Sequence, residues 1–214
     1  MRGTPIVIED KATGFSAEQL PVPEHYIPFI ECVMIPNGLI RDRLQQLAIN
    51  VHDDYKGKKL HILCVLKGGD KVFGDLNKQL DKLNTSRSSV PITYDFIRTS
   101  SYENDSSTGI VNIMGELQDI KGRHVLIVED IVDTGITLKK LKDEISRHEP
   151  ASLKCLTLLS KRIGKEPEAS ADYVGFSIPP HFVVGYCLDY NEHFRDLAHI
   201  CVLNEKGKTE FRKR

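Results

Sequence analysis

Apolar residues in this chain recur at two spacings, one suited to helices and one to buried strands. In 37–55, Ile40, Leu44, Leu47, Ala48 and Val51 share one face at helical spacing, with Asn37 placed to cap the start. Val72, Phe73, Leu76, Leu80 and Leu83 predict a second helix. Leu138, Leu141 and Ile145 predict a third over 136–148, closed by Pro150. Short apolar runs predict strands at 60–66, 91–97, 110–114, 124–128, 153–159, 173–178 and 182–186. The polar stretch 99–109, rich in Ser, Asn and Asp and ending in Gly109, reads as an exposed mobile loop.

Apolar strands alternating with amphipathic helices imply an α/β fold, a mainly parallel twisted sheet flanked by helices on both faces. Ligands in such folds sit at the C-terminal ends of the strands. Three polar motifs fall at those ends: Lys67-Gly68-Gly69 after Leu66, the acids Glu129 and Asp130, and Lys161-Arg162.

With 214 residues the chain is read as one domain, 1–214, with a substantial core. A formal net charge of −1 gives no basic field, so neither nucleic acid nor a membrane surface is an expected partner. Cys32, Cys64, Cys155, Cys187 and Cys201 are scattered, odd in number and form no C-x-x-C pair. That argues against a disulfide framework or structural zinc and for a reducing, cytoplasmic setting. No apolar run reaches the length of a membrane span, and Glu9 and Asp10 interrupt any secretory-type leader. The basic stretch 206–214 reads as a solvated terminus.

The most informative segment is 125–137, VLIVEDIVDTGIT. A buried strand, a small-residue turn (Thr134, Gly135, Ile136, Thr137) and a helix N-terminus make a phosphate site, because free backbone N–H groups and the helix dipole point at the anion. Glu129, Asp130 and Asp133 would repel a phosphate in the same cup. They are therefore expected to face hydroxyl groups, a proton to be removed, or a metal. Taken alone, the turn is an ordinary capped helix start and the acid pair a surface feature; in combination they point to a phosphorylated sugar. The chain has neither a G-x-x-x-x-G-K-[ST] nor a G-x-G-x-x-G motif, which counts against a nucleoside triphosphatase or a dinucleotide dehydrogenase.

This segment resembles the binding loop for 5-phosphoribosyl 1-pyrophosphate (PRPP) in type I phosphoribosyltransferases. Leu66-Lys67-Gly68-Gly69, Lys161-Arg162 and the run 182–196, FVVGYCLDYNEHFRD, narrow the resemblance to the hypoxanthine-guanine branch. It runs from about Pro36 onward and is weaker before that. The resemblance implies the type I fold, with a core at about 37–160 and a small hood from about 1–36 plus 161–214. It also implies purine salvage: Mg²⁺-dependent transfer of phosphoribosyl from PRPP to N9 of hypoxanthine or guanine, giving IMP or GMP and pyrophosphate. The assembly it implies is a homodimer or homotetramer.

The same resemblance implies roles for individual residues. Asp133 is the general base near the purine N7, and Glu129 and Asp130 hold the ribose hydroxyls. Ile131, Val132, Thr134, Gly135, Ile136 and Thr137 complete the ribose-phosphate site, and Lys67, Gly68 and Arg195 take the pyrophosphate. The Leu66–Lys67 peptide is often cis in the family. Lys161 bonds the 6-oxo group, Phe182 stacks on the base, the Val183 backbone reads its edge, and His181 and Asp189 lie beside it. Asp189, with Glu129 and Asp130, is implied in Mg²⁺ binding, and Ser101 and Tyr102 in a lid.

Three positions depart from the family pattern. Ile136 stands where Lys is frequent, which removes a charge near the 5′-phosphate and weakens its binding; His181 replaces a charged residue and Cys187 a small one. Two other functions fit parts of the same pattern. A non-catalytic PRPP or nucleotide sensor often carries a basic surface or nucleic-acid module, and neither occurs here. An adenine enzyme would not need Lys161, whose ammonium has nothing to accept from an amino group; xanthine shares the 6-oxo group and stays open.

Overall fold

The structure, a computed structural model, describes residues 4–100, 112–114 and 120–213. Its elements are β1 (Ile6–Val7), β2 (Ile30–Ile35), α1 (Asn37–Asp54), β3 (Leu60–Leu66), α2 (Asp70–Leu83), β4 (Ile92–Ser100), β5 (Asn112–Met114), β6 (His124–Val132), α3 (Ile136–Ser146), β7 (Ser152–Lys161), β8 (Tyr173–Ile178), β9 (Val183–Val184), β10 (Ile200–Leu203) and α4 (Glu205–Glu210). Short 3₁₀ turns lie at Ala17–Gln19 and Glu24–Phe29.

Seven strands form the large sheet in the order β1-β8-β7-β6-β3-β4-β5. Every pairing is parallel except β4 with β5. The near-continuous apolar character of β3 and β6 follows from burial on both faces. Ile62, Cys64, Leu126 and Val128 pack into the core beneath α1 and α2. Their neighbours Leu63, Val65, Val125 and Ile127 pack into a second core with Leu138, Leu141 and Ile145 of α3. Glycines 68–69 and the turn at 133–135 therefore leave the sheet at the same end, where β3 and β6 finish side by side.

A second, antiparallel sheet, β2-β10-β9, has its own core around Val33, Val184, Phe194, Leu197, Cys201 and Leu203. It draws β2 from the N-terminal part of the chain and β9 and β10 from the C-terminal part. However, β1 and β8, which the sequence boundaries placed in the hood, are strands of the large sheet.

Other differences have local causes. Asn37 does not cap α1; Pro36 holds that position. The Asn37 N–H instead donates to His199 Nδ1 at 2.9 Å, and its Nδ2 donates to the Ala198 carbonyl at 2.9 Å, so the helix start is tied to the small sheet. The predicted strand 182–186 shrinks to Val183–Val184, because Gly185 at φ 94° begins a turn. The tail is not free through its whole length. Asn204 caps α4 by accepting from the Gly207 N–H at 2.9 Å, and the Phe211 ring meets Phe29 and Phe194 edge-on at 5.0 and 4.8 Å. No helix among the described residues is long and apolar enough to cross a membrane.

Candidate active site

β6 runs on to Val132, so Glu129 and Asp130 lie within its last turns of pleat rather than beyond it. Asp133, Thr134 and Gly135 then turn the chain into α3. Gly135 has φ 75°, a left-handed conformation that side-chain-bearing residues adopt only with strain. A Cβ there would also meet the Ala169 carbonyl oxygen at 2.5 Å and nitrogen at 2.7 Å. The Glu168 N–H donates to the Thr134 carbonyl at 2.9 Å, so the segment after β7 braces the turn from behind. In front lies a cavity of about 240 Å³ lined by residues 129–135 with Thr137 and Leu138. Ile136 is 38% exposed and is not among the lining residues.

Glu129 is buried. Burial pushes its carboxyl well above the usual carboxylate range, and the neighbouring Asp130 charge adds to this. Burial likewise pushes Asp130 up to about 6, opposed by a hydrogen bond from the Ile131 N–H to Asp130 Oδ1 at 2.7 Å and by the Arg195 charge. Asp130 is also packed against the loop after β3: any Cβ at Gly68 would overlap its carboxylate. The Leu66–Lys67 peptide in that loop is cis.

The segment 185–195 folds onto the same loop. Two successive turns shape it, Gly185 to Leu188 and Tyr190 to His193, each closed by a bridge. The central residues Tyr186, Cys187, Asn191 and Glu192 all have positive φ, the pattern of type I′ turns. Cys187 Sγ donates to the Lys67 carbonyl at 3.3 Å. Lys71 of α2 donates to the carbonyls of Arg195 and Leu197 at 3.1 and 3.2 Å. Arg195 spends its fork locally: Nη1 on the Cys187 carbonyl at 2.7 Å, Nη2 on Asp189 Oδ1 at 2.8 Å and on Glu192 Oε1 at 3.2 Å. Glu192 also pairs with Lys67 Nζ at 2.7 Å, and its N–H donates to Asp189 Oδ2 at 2.7 Å. These two cations hold the Glu192 carboxyl down at about 2.

At the end of β7, Lys161 Nζ donates to Asp133 Oδ2 at 3.0 Å, with 15% of the lysine side chain exposed. Val183 is buried in β9, and the Phe182 ring, 41% exposed, meets Tyr190 edge-on at 5.3 Å. Contacts thus link the separate motifs into one region: 182 to 190, 187–192 to 67, 68 to 130, and 133 to 161. His181 lines a separate cavity of about 320 Å³ with Asp10, Lys11, Glu31 and Cys32. Ser101 and Tyr102 lie outside the described residues.

Glu129, Asp130 and Asp189 do not converge as a shared ligand set; no cluster of three or more His, Cys, Asp or Glu side chains suited to a metal occurs among the described residues. The reason is local. Glu129 is buried, Asp130 is committed to its own strand end and Gly68, and Asp189 is tied to Arg195. What remains is hard carboxylate oxygen in ones and twos, a donor set suited to an ion that arrives on phosphates with most of its other ligands.

Four contributors escaped the sequence reading: Lys71, Glu192, Glu168 and Ala169. For Glu192 a signal existed, an acid three positions before Arg195 in a charged run. Nothing local marks 168–169, which reach the cup only through the return from β7.

The family description "Phosphoribosyl transferase domain" matches residues 36–191. The chain is 46% identical over 210 residues to the hypoxanthine-guanine phosphoribosyltransferase of Rattus norvegicus, covering 97% of this chain and 96% of that one. It is 45% identical over 214 residues to that of Homo sapiens, covering 99% and 98%. Among solved structures it is similar to the crystal structure of the Schistosoma mansoni hypoxanthine-guanine phosphoribosyltransferase in complex with IMP, with a TM-score of 0.83, 36% identity, and coverage of 98% of this chain and 100% of that one.

Proposed function

This chain belongs to the phosphoribosyltransferase family, and we propose that it transfers the phosphoribosyl group of PRPP to N9 of hypoxanthine or guanine, forming IMP or GMP and pyrophosphate. It is an enzyme of purine salvage. The observation that carries the assignment of base is the Lys161–Asp133 contact. A 6-oxo purine presents an acceptor, O6, next to N7, from which a proton must be lost. An ammonium and a carboxylate 3.0 Å apart match that edge in order, each exchanging the other for the base.

The remaining roles are those the family resemblance implies, and the placement of the residues supports them. The backbone N–H groups of 134–137 and the start of α3 receive the 5′-phosphate. Glu129 and Asp130 bind the ribose hydroxyls, and Lys67, the Gly68 backbone and Arg195 receive the pyrophosphate. Phe182 stacks on the base while the Val183 backbone reads its edge. As N9 bonds to C1 of the ribose, the C1–O bond to pyrophosphate breaks, and Asp133 takes the proton from N7.

Mg²⁺ fits such carboxylates: Asp189, with its oxygens on Arg195 and the Glu192 N–H, and Asp130, with Oδ1 on the Ile131 N–H, would hold it through their remaining lone pairs, since such an ion binds one or two carboxylates plus substrate phosphates. Bound there, it neutralises charge on the leaving pyrophosphate. A cytoplasmic setting suits the five free cysteines. A homodimer or homotetramer is supported by Tyr94 and Phe96, 50% and 42% exposed beside Phe73, an apolar surface a second copy would cover.

The test is a spectrophotometric assay with PRPP, Mg²⁺ and each of hypoxanthine, guanine, xanthine and adenine. Turnover of the first two and none of adenine is expected. Tight binding of PRPP or GMP without turnover of any base would replace the enzyme with a sensor.

A further inference from the structure

We propose that Glu192 is a positioning residue that occupies the pyrophosphate site in the absence of substrate, holding Lys67 and Arg195 as their shared counter-ion and being displaced by the incoming anion. The inference rests on the reading of Lys67 and Arg195 as pyrophosphate ligands.

The carboxylate is divided between the two cations: Oε2 to Lys67 Nζ at 2.7 Å, Oε1 to Arg195 Nη2 at 3.2 Å. These cations come from different parts of the fold, the loop after β3 and the turn segment after β9. Their attachments differ in kind. Arg195 is held without Glu192, by the Cys187 carbonyl at 2.7 Å and by Asp189 at 2.8 Å, and 23% of its side chain is exposed. Lys67 is 53% exposed, and its ammonium rests where Glu192 puts it. Glu192 is 59% exposed, makes the longest of the three contacts to Arg195, and is the member free to swing into solvent.

Magnitudes favour exchange. An exposed ion pair contributes about 0–1 kcal/mol. Pyrophosphate brings several charged oxygens to the same two cations, so it wins, but it must displace Glu192 to do so. Binding is weakened by whatever Glu192 contributes. The type I′ turn makes the exchange local, because the Glu192 backbone stays anchored through its N–H to Asp189 Oδ2 while the side chain leaves.

Glu192→Gln keeps shape and turn but removes the charge. Calorimetric titration with Mg-pyrophosphate should show binding about 3–10-fold tighter than in the parent, with KM for PRPP lowered in parallel and GMP affinity unchanged. A structural role would instead weaken all ligands together. Unchanged or weaker pyrophosphate binding in Glu192→Gln overturns the inference. Lys67→Met and Arg195→Lys separate the two levels. If both leave pyrophosphate binding intact, the assignment of the cations fails and the inference with it. If they weaken it while Glu192→Gln does not tighten it, only the role of Glu192 fails.

Discussion

Lys161 Nζ and Asp133 Oδ2 meet at 3.0 Å, joining the end of β7 to the turn that follows β6. Because those strands are adjacent and parallel, their C-terminal ends deliver a cation and an anion to one rim of the cavity after β6. Without a base the pair satisfies itself. In the proposed function, a 6-oxo purine would exchange this internal bond for two of its own.

Asp133→Asn keeps the shape of this contact and removes the base. Turnover should fall about 10²–10³-fold, with KM for hypoxanthine or guanine changing far less. Steady-state kinetics of the purified variant decide it; unchanged kcat would remove Asp133 from the proton transfer.

Gly135→Ala should damage the cup from behind. The residue sits at φ 75°, and the added methyl would press on Ala169 backbone atoms 2.5 and 2.7 Å away. A loss of about 2 kcal/mol, or roughly 4–8 °C in Tm, is expected together with at least tenfold weaker GMP binding. Thermal melts and a GMP titration on one preparation measure both.

How much of this was legible beforehand depended on whether the cause was local. β8, Tyr173–Ile178, lies where its apolar pattern predicts, and the cup was readable because strand, turn and helix start are contiguous. The small sheet was not foreseen as a sheet. Ile35 pairs with Ile200 across most of the chain, a relationship that no window of sequence contains. Asn37 illustrates the same limit: a good capping residue by type, it is recruited by Ala198 and His199 instead. Glu192 was visible only as one charge among several until the two turns placed it between Lys67 and Arg195.

Asp130 gives the protein a pH signature. Burial pushes its carboxyl up to about 6, so folding favours the protonated form. Stability from this group is complete below its ordinary range and is lost as pH rises through about 6. Asp130→Asn removes that loss. Without ligand, the variant should melt about 2–6 °C above the parent at pH 8, and the difference should close toward pH 4. Melts across this range test it; a constant offset would mean that Asp130 titrates normally.

Ile136→Lys should restore a charge that this cup lacks. Ile136 is 38% exposed at the first position of α3, so a lysine there has room to reach an anion. GMP and PRPP should bind about 3–10-fold more tightly at low ionic strength, with the gain shrinking as salt screens it. A small drop in Tm should accompany it, because a cation opposes the helix dipole at this end. Titrations at two salt concentrations separate the effects.

The order of the small sheet, β2-β10-β9, has a consequence for how the protein is made. The central strand is the last of the three to be synthesised. Until Ile200–Leu203 has emerged, β2 and β9 have no partner between them, and Val183, with Phe182 beside it, has no wall to rest on. The cavity after β6 is built from earlier residues, the end of β6, the start of α3 and the brace at 168–169. A nascent chain therefore contains every strand of the large sheet, and the turn at the end of β6, before it contains the strand that joins β2 to β9.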